Sequence, residues 1–187
     1  MYKGVYNTFA RWFNDKRGGI WFYSDPHFGD DENNYKLRKN YIGDEEQIAR
    51  INEKVGKHDT LIILGDIGDK EFLKKIHAHI VLILGNHDAG ATTYEEYADE
   101  IYEGPLFISD RILLSHEPIA YAYGINIHGH DHANWYYNDH QHINVCAEHI
   151  DYTPISLRSI IKSGALKNIT DIHRATIDHA SARKHKS

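Results

Sequence analysis

The stretch Ile80–Asp88 reads IVLILGNHD and joins five aliphatic residues directly to a short polar turn. An apolar run of this kind is typical of a strand that is buried on both faces of a parallel sheet. The glycine allows a sharp turn, so the asparagine and the histidine come at the carboxyl end of the strand. In α/β proteins this edge of the sheet is where ligands bind. We therefore expect a site there.

The same arrangement of an apolar run followed by Asp, Asn or His recurs along the chain. The further polar groups are Asp25-Pro26-His27, Gly65-Asp66-Ile67-Gly68-Asp69, Ser115-His116-Glu117-Pro118 and Gly129-His130-Asp131-His132. Most of them follow a predicted strand, such as those at 20–24, 60–64 and 111–114. Because neighbouring strand ends meet at one edge of a sheet, the sequence predicts one polar cluster there, and its residue types indicate a metal site.

In this order the groups resemble the motif series of the calcineurin-like metallophosphoesterases, which reads D-x-H, G-D-x-x-D, G-N-H-[DE], H and G-H-x-H. Every position is present between Asp25 and His132, and the chain is most similar to the small single-domain bacterial and phage type. The resemblance implies an α/β (α+β) fold, a two-sheet β-sandwich flanked by helices in four αββα layers. One departure, Asp30 where that type often has another histidine, concerns substrate contact and not the metal ligands.

The resemblance also implies two divalent metal ions and the side chains that bind them. It assigns Asp25, His27 and His132 to the first ion, Asn86, His116 and His130 to the second, and Asp66 to both. Asp66 is the natural bridge because a carboxylate can bind two ions, whereas a neutral imidazole cannot. A set of oxygen and nitrogen donors without thiolate favours Mn²⁺, with Fe, Zn, Ni or Co as alternatives.

The chemistry that follows is hydrolysis at phosphorus. Two ions about 3.5–4 Å apart lower the pKa of a bridging water and clamp an in-line displacement. We expect His87, which binds no metal, to act as general acid or to stabilise charge on the phosphoryl group. We expect Asp88 to orient the His87 ring and raise its pKa. Asp69 either supports a metal ligand from behind or caps the helix that follows it.

The substrate class stays open at this stage. The leading interpretation is a phosphodiesterase with phosphomonoesters as a further substrate, and the alternatives are a nuclease or a noncatalytic metal-binding scaffold of the same fold. A net charge of −6 gives no support to nucleic-acid binding. Arg111 begins a strand and lies away from the predicted site, while Lys36, Arg38 and Lys39 follow the first motif and could reach over the metals. Few fixed cations favour diesters, which carry one charge fewer than monoesters.

Composition predicts one globular domain over residues 1–187, with an extension at 1–18 and a tail from about 166. The chain has no apolar run of transmembrane length and no apolar signal segment near its start, and it has one cysteine, Cys146. We therefore expect a cytoplasmic protein that acts on a small phosphate ester without a membrane partner. The oligomeric state is not predicted.

The remaining expectations concern single elements and side chains. We predict a loop over the site at 30–43, a helix over 45–55 capped by Asp44, short helices over 71–77 and from Thr92 or Thr93 to Glu100, and a helix from Ser156 to Ile161. Strands at 106–109, 112–115, 125–128 and 143–147 are expected to form hairpins. We expect His128 and Cys146 to be buried, His77 and His79 to lie on a solvated helix face, and Tyr136 and Tyr137 to flank the substrate. His140, His142 and His149 are expected at the surface.

Overall fold

Aliphatic runs of the first half of the chain form a largely parallel five-stranded sheet. The computed structural model describes residues 4–12, 18–135, 139–167 and 169. The strands are β1 (Ile20–Tyr23), β2 (Thr60–Ile63), β3 (His79–Ile83) and β4 (Glu100–Tyr102), with β9 (Ile155–Ser156) from the end of the described chain. Their order is β4-β3-β2-β1-β9, and only β9 runs antiparallel to its neighbour.

A second sheet contains the shorter strands of the middle of the chain. They are β5 (Leu106–Ser109), β6 (Ile112–Leu114), β7 (Ile125–His128) and β8 (His142–Asn144), in the order β5-β6-β7-β8. The β5–β6 pair is antiparallel, whereas β6, β7 and β8 are parallel to one another. The predicted hairpins are therefore wrong beyond β5 and β6, because parallel neighbours must be joined by crossovers, here at 115–124 and 129–141, and not by tight turns.

Helices complete the mixed α/β fold. They are α1 (Asp31–Leu37), α2 (Asp44–Lys54) and α3 (Leu157–Lys162), with 3₁₀ helices at Asn7–Trp12, Lys70–Lys75, Ala91–Thr93 and Ala147–Ile150. Ser156 caps α3 by accepting a hydrogen bond from the Ser159 amide, as predicted. The predicted fold class, two sheets flanked by helices, is confirmed.

The first sheet is buried on both faces. Alternate residues point to opposite sides of a strand, so Ile62 packs in a core shared with the second sheet, including Leu114 and Ile127. Leu61 points the other way, into a core that includes Ile51 of α2. Burial of each such side chain stabilises the fold by roughly 1.5–3 kcal/mol, which explains why these strands are runs of aliphatic residues rather than alternating ones.

Three local predictions are wrong. The segment 30–43 contains α1, whose first turn has Asp31 and Glu32 in positions that favour helix formation. Gly43, not Asp44, is the N-cap of α2. The Asp44 carboxylate instead accepts hydrogen bonds from the Gly29 amide and the Tyr41 hydroxyl, so it ties α2 to the first motif.

The third error is the helix predicted to end at Glu100. After the short Ala91–Thr93 turn, the chain enters β4, which pairs with β3. Sheet pairing and the contacts of Glu100 outweigh the helix propensity of this segment. His79 is also not on a helix face, because it begins β3 and contacts Glu100.

Two further findings concern the chain beyond the sheets. Tyr136, Tyr137 and most of the tail after 166 lie outside the described residues. In the described part of the chain, none of the helices has the length and apolar character needed to cross a membrane.

Candidate metal centre

The polar groups predicted from the sequence meet at one edge of the two sheets. Asp25 follows β1, Asp66 follows β2 and Asn86 follows β3, while His116 and His130 follow β6 and β7. These strands are parallel within each sheet, so their carboxyl ends share an edge. A backbone bridge between Ser24 and Cys146 joins the ends of β1 and β8, and so links the two sheets at this place.

One group of side chains surrounds Asp25. The His132 Nε2 atom lies 3.4 Å from Asp25 Oδ1, and the His27 Nε2 atom lies 3.9 Å from the same oxygen. His27 Nε2 also lies 3.7 Å from Asp66 Oδ2. Asp25, His27 and Asp66 offer atoms close enough to share one metal ion. This group is the one predicted for the first ion, with His132 beside it.

A second group lies on the other oxygen of Asp66. His116 Nε2 is 3.5 Å from Asp66 Oδ1, 2.9 Å from Asn86 Oδ1 and 3.1 Å from His130 Nδ1. His130 Nδ1 is in turn 3.0 Å from Asn86 Oδ1. Asp66, His116 and His130 also form a geometric candidate for a metal site. All seven predicted ligands are thus divided between two adjoining groups that share Asp66.

The ring of His116 is oriented to present a lone pair to the second group. Its Nδ1 atom is 2.7 Å from the Leu64 carbonyl oxygen, which can only accept, so Nδ1 carries the proton. The Nε2 atom facing Asn86 and His130 is therefore unprotonated in the neutral ring. Fixing the tautomer through the other ring nitrogen is typical of metal-binding histidines.

Asp25 has a buried oxygen that the protein leaves without a hydrogen bond. Its Oδ2 atom accepts from the His130 amide at 2.9 Å and lies 2.5 Å from Ser24 Oγ. Its Oδ1 atom is buried and has no hydrogen-bond partner among the described residues. An unpaired buried carboxylate oxygen is costly. Its position, facing His27 and His132, fits a bound cation, and the donor set as a whole fits a divalent metal.

Several of these ligand candidates have an unusual backbone conformation. Asp25, His27, Asp66 and His130 have positive φ values of 54°, 47°, 53° and 65°. Residues other than glycine rarely adopt this region, and such strained residues cluster at functional sites. The strain turns each side chain sharply out of the line of its strand and towards the shared edge.

Two motif positions must be glycine because side chains of the site approach their Cα atoms closely. A Cβ atom on Gly129 would lie 1.9 Å from Ser24 Oγ and 2.3 Å from Asp25 Oδ2. A Cβ atom on Gly85 would lie 2.3 Å from Asp66 Oδ1. Both positions must lack a side chain for the carboxylates to occupy their observed places.

His87 is exposed at the rim of the site. Its amide donates to Asp66 Oδ1 at 3.0 Å, and its ring centroid is 6.0 Å from that of His27. The expectation that Asp88 orients this ring is not met. The Asp88 carboxylate instead accepts from the amides of Gly85, Asp66 and Ile67 and from the Tyr94 hydroxyl, so it positions the two motif loops.

The role of Asp69 is also clear from its contacts. Its Oδ1 atom accepts a hydrogen bond from the Glu71 amide at 2.9 Å and so caps the Lys70–Lys75 helix. The capping alternative is therefore the one observed. Within the described chain, the Asp69 side chain forms no hydrogen bond or ion pair with the ligand candidates. His149 lies nearer the site, with Nε2 2.9 Å from the His132 carbonyl oxygen.

Glu148 and Arg38 support the site, and of these two residues only Glu148 was missed from the sequence. Glu148 Oε1 lies 2.5 Å from His132 Nδ1, and Glu148 Oε2 lies 2.5 Å from the Arg38 guanidinium. Arg38 is buried and also donates to the carbonyl oxygens of Asp25 and Pro26. Glu148 comes just after a predicted strand, so the strand-end signal could have identified it. Arg38 was predicted on a segment that could reach over the metals, and its buried position against the Asp25 carbonyl oxygen and Glu148 corrects that interpretation.

These contacts set the protonation of the ring that faces Asp25. Burial alone would raise the pKa of Glu148, but the hydrogen bond from His132 and the charge of Arg38 outweigh burial and lower the pKa to about 2. Burial would lower the pKa of His132, but Glu148 and Asp25 outweigh it and raise that pKa. Because the Glu148 carboxylate can only accept, His132 Nδ1 carries a proton, and Nε2 is the ring atom that faces Asp25.

Cys146 is buried, as predicted, but it is not simply an apolar filler. Its thiol lies 3.3 Å from Asp25 Oδ2, and with Asp25 and His132 it forms a further geometric candidate for a metal site. Burial and the charge of Asp25 raise the pKa of the thiol well above its ordinary value. A protonated thiol donates to Asp25 and does not act as a ligand. His128 is likewise buried in the core, as predicted.

Two proteins without an assigned activity are similar to this chain in sequence or in structure. No family model matches the chain. The uncharacterized protein MJ1445 of Methanocaldococcus jannaschii is 32% identical over 134 residues, which are 62% of this chain and 71% of the relative. The crystal structure of a protein of unknown function from Aquifex aeolicus, AQ665, has a TM-score of 0.62 and 26% identity, covering 78% of this chain and 99% of that one.

A weaker structural likeness involves the nuclease MPE of Pseudomonas putida. Its TM-score is 0.43 and its identity 24%, and it covers 59% of this chain and 60% of that one. A likeness at this level has no bearing on the activity of the present chain.

Proposed function

We propose that this chain catalyses the metal-dependent hydrolysis of phosphate esters. The chain belongs to the same family as the uncharacterized Methanocaldococcus jannaschii protein. The resemblance of its motif series to that of the calcineurin-like metallophosphoesterases supports this proposal. The proposed cofactor is a pair of divalent ions, with Mn²⁺ first among the candidates. The proposed partner is a small phosphodiester in the cytoplasm.

The observation that carries the proposal is the division of the Asp66 carboxylate between two ligand groups. Oδ2 faces His27, and Oδ1 faces His116. A single carboxylate between two clusters of oxygen and nitrogen donors is the arrangement that a pair of cations requires. When bound, such a pair would supply an activated water and neutralise charge on the phosphoryl oxygens.

The side chains of the chain itself would do the remaining work. The amide of His87 holds Asp66 Oδ1, so the bridge and the candidate acid are fixed to one another. The exposed His87 ring would donate a proton to the leaving oxygen as the ester bond breaks. Asp88 keeps the loops of Asp66 and His87 together through its backbone hydrogen bonds.

The basic residues near the first motif support a diester substrate. Arg38 is buried and points beneath the site, towards Glu148 and the Asp25 carbonyl oxygen. Lys36 pairs with Glu32 on an exposed face of α1. Neither is placed to bind the second negative charge that a monoester carries at neutral pH.

Turnover of matched aryl phosphates tests this proposal. With Mn²⁺ added, we expect bis-p-nitrophenyl phosphate to be hydrolysed with a higher kcat/KM than p-nitrophenyl phosphate. A monoester preference of about tenfold or more, equivalent to about 1.4 kcal/mol, would contradict the diester assignment. Absence of turnover with Mn²⁺, Fe²⁺, Zn²⁺, Ni²⁺ and Co²⁺ would contradict the enzyme and favour the noncatalytic scaffold.

A further inference from the structure

A cavity of about 270 Å³ adjoins the second ligand group. It lies between the sheets, where the end of β3 (83–86), the end of β6 (115–117) and the β4–β5 connection (103–105) come together. Asn86 and His116 form the wall that it shares with the candidate metal centre. A ligand bound at that centre would therefore lie beside this cavity.

The cavity adjoins the second ligand group, whereas the candidate acid His87 lies near the first. His87 does not line the cavity, and its ring is near His27 of the first group. In hydrolysis of a diester, water adds to phosphorus and the bond to one ester oxygen breaks. That oxygen leaves as an alcohol after gaining a proton, and the other substituent stays on the phosphomonoester product. If His87 protonates the leaving oxygen, the cavity remains for the substituent that is retained.

The walls of the cavity describe the kind of substituent that fits. Leu84, Pro105 and Ile119 provide apolar surface, and the fully buried Ile83 lies behind them. Glu103 and Glu117 add two carboxylates, and both residues are exposed. Neither forms an ion pair with any described residue. The Glu103 carboxylate accepts a long hydrogen bond of 3.4 Å from the Ala91 amide.

This combination of charge and apolar surface distinguishes between ligands. Uncompensated carboxylates repel a further phosphate, so a polynucleotide is disfavoured at this position. They attract a cation, and apolar walls accept the carbon skeleton that bears it. An ammonium group on a short alkyl chain meets both requirements.

We propose that this cavity binds the retained alcohol substituent of a phosphodiester, and that this substituent carries a positive charge, as in an amino alcohol or a quaternary ammonium alcohol. The proposal rests on the proposed phosphoesterase function and specifies its substrate class. Its determinants are Glu103 and Glu117, which act on binding of the retained group and not on the bond that breaks.

Two substrates that differ only in this charge test the proposal. One is p-nitrophenylphosphorylcholine, and the other is 3,3-dimethylbutyl p-nitrophenyl phosphate, in which a neutral tert-butyl group replaces the trimethylammonium group. Both release nitrophenolate, so the leaving group is matched. For the metal-loaded full chain we expect kcat/KM to favour the cationic substrate about tenfold, the combined effect of two partly exposed ion pairs.

Variants identify the source of the preference. The double variant Glu103→Gln/Glu117→Gln should bring the ratio of the two kcat/KM values close to one. Glu96→Gln, at an exposed glutamate that does not line the cavity, should keep the wild-type ratio. The preference of the wild type should also decrease as ionic strength increases.

Binding of the products provides a second measurement that does not depend on turnover. Titration calorimetry should show that phosphocholine binds the metal-loaded protein more tightly than 3,3-dimethylbutyl phosphate, and that the double variant loses the difference. Equal kcat/KM for both substrates, or a preference that survives in the double variant, would overturn the cavity assignment while leaving the phosphoesterase intact. Hydrolysis of neither substrate, nor of bis-p-nitrophenyl phosphate, would instead overturn the proposed function itself.

Discussion

At the scale of single residues, the orientation of a ligand candidate depends on the side chains that contact it. Arg38, Glu148 and His132 form a connected series in which each group fixes the next. The motif pattern identifies His132, but it says nothing of Glu148. Conversely, the pattern places Asp88 beside His87, and the structure instead shows it holding backbone amides.

Replacement of Glu148 tests the importance of this series. In Glu148→Gln, a neutral amide replaces the carboxylate that accepts from His132 Nδ1, so the ring loses its fixed tautomer. We expect metal affinity to fall by about 10- to 100-fold, the usual effect of removing such a partner. Equilibrium dialysis with Mn²⁺ measures this. Glu96→Gln is the control, and an unchanged dissociation constant in Glu148→Gln would contradict the assignment.

Replacement of His87 separates proton transfer from metal binding. His87→Asn leaves the proposed ligands intact, so bound metal should stay at the wild-type level. We expect the rate with an alkyl leaving group to fall by about 10²–10⁴-fold. The loss should be smaller with nitrophenolate, which hardly needs a proton. Equal losses for both leaving groups would exclude the general-acid role and leave charge stabilisation.

At the scale of elements, Glu100 attaches the first described helix to the edge of the sheet. Its carboxylate accepts from Arg11, from Trp12 Nε1 at 2.8 Å and from His79 Nε2 at 3.0 Å. Burial would raise the pKa of Glu100, but these hydrogen bonds outweigh it and lower the pKa to about 2. The contact explains why Glu100 begins β4 rather than ending a helix.

The lowered pKa makes this contact dependent on pH. Because the folded-state pKa lies below its ordinary value of about 4.5, the stabilisation is full above pH 4.5 and is lost as the pH falls towards 2. At pH 7 we expect Glu100→Gln to lower the free energy of unfolding by about 1–2 kcal/mol, allowing for solvent screening. Urea unfolding at pH 7 and at pH 3 measures the difference, which should be smaller at pH 3. A pH-independent difference would contradict the charge-based account.

Elements were predictable from the sequence where the chain is buried on both faces. The aliphatic runs of β1, β2 and β3 indicate strands that are buried on both faces. The bounds of these strands agree with prediction to within a residue or two. The polar segment of α1 and the edge strand β4 were not predictable in the same way. The local signal of α1 is limited to the acidic residues of its first turn, and β4 depends on contacts with distant residues, such as Arg11 with Glu100, which leave no local pattern.

At the scale of the whole molecule, two sheets bring the motif loops to one edge. Parallel order places the ends of β1, β2 and β3 side by side, and the crossovers of the second sheet add the ends of β6 and β7. The motif order predicted that these groups would meet, although the predicted hairpins would have reversed the direction of β7. The meeting of the ligand candidates at this edge was predictable because most of the motifs follow a strand.

The most direct test of the central claim is the metal content of the wild type and of Asp66→Asn. Elemental analysis after dialysis against Mn²⁺ should find two ions per wild-type chain. In Asp66→Asn it should find most of the metal lost, because both ligand groups need the same carboxylate, and hydrolysis of bis-p-nitrophenyl phosphate should be nearly abolished. Two ions and normal turnover in Asp66→Asn, or no bound metal in the wild type, would contradict the account.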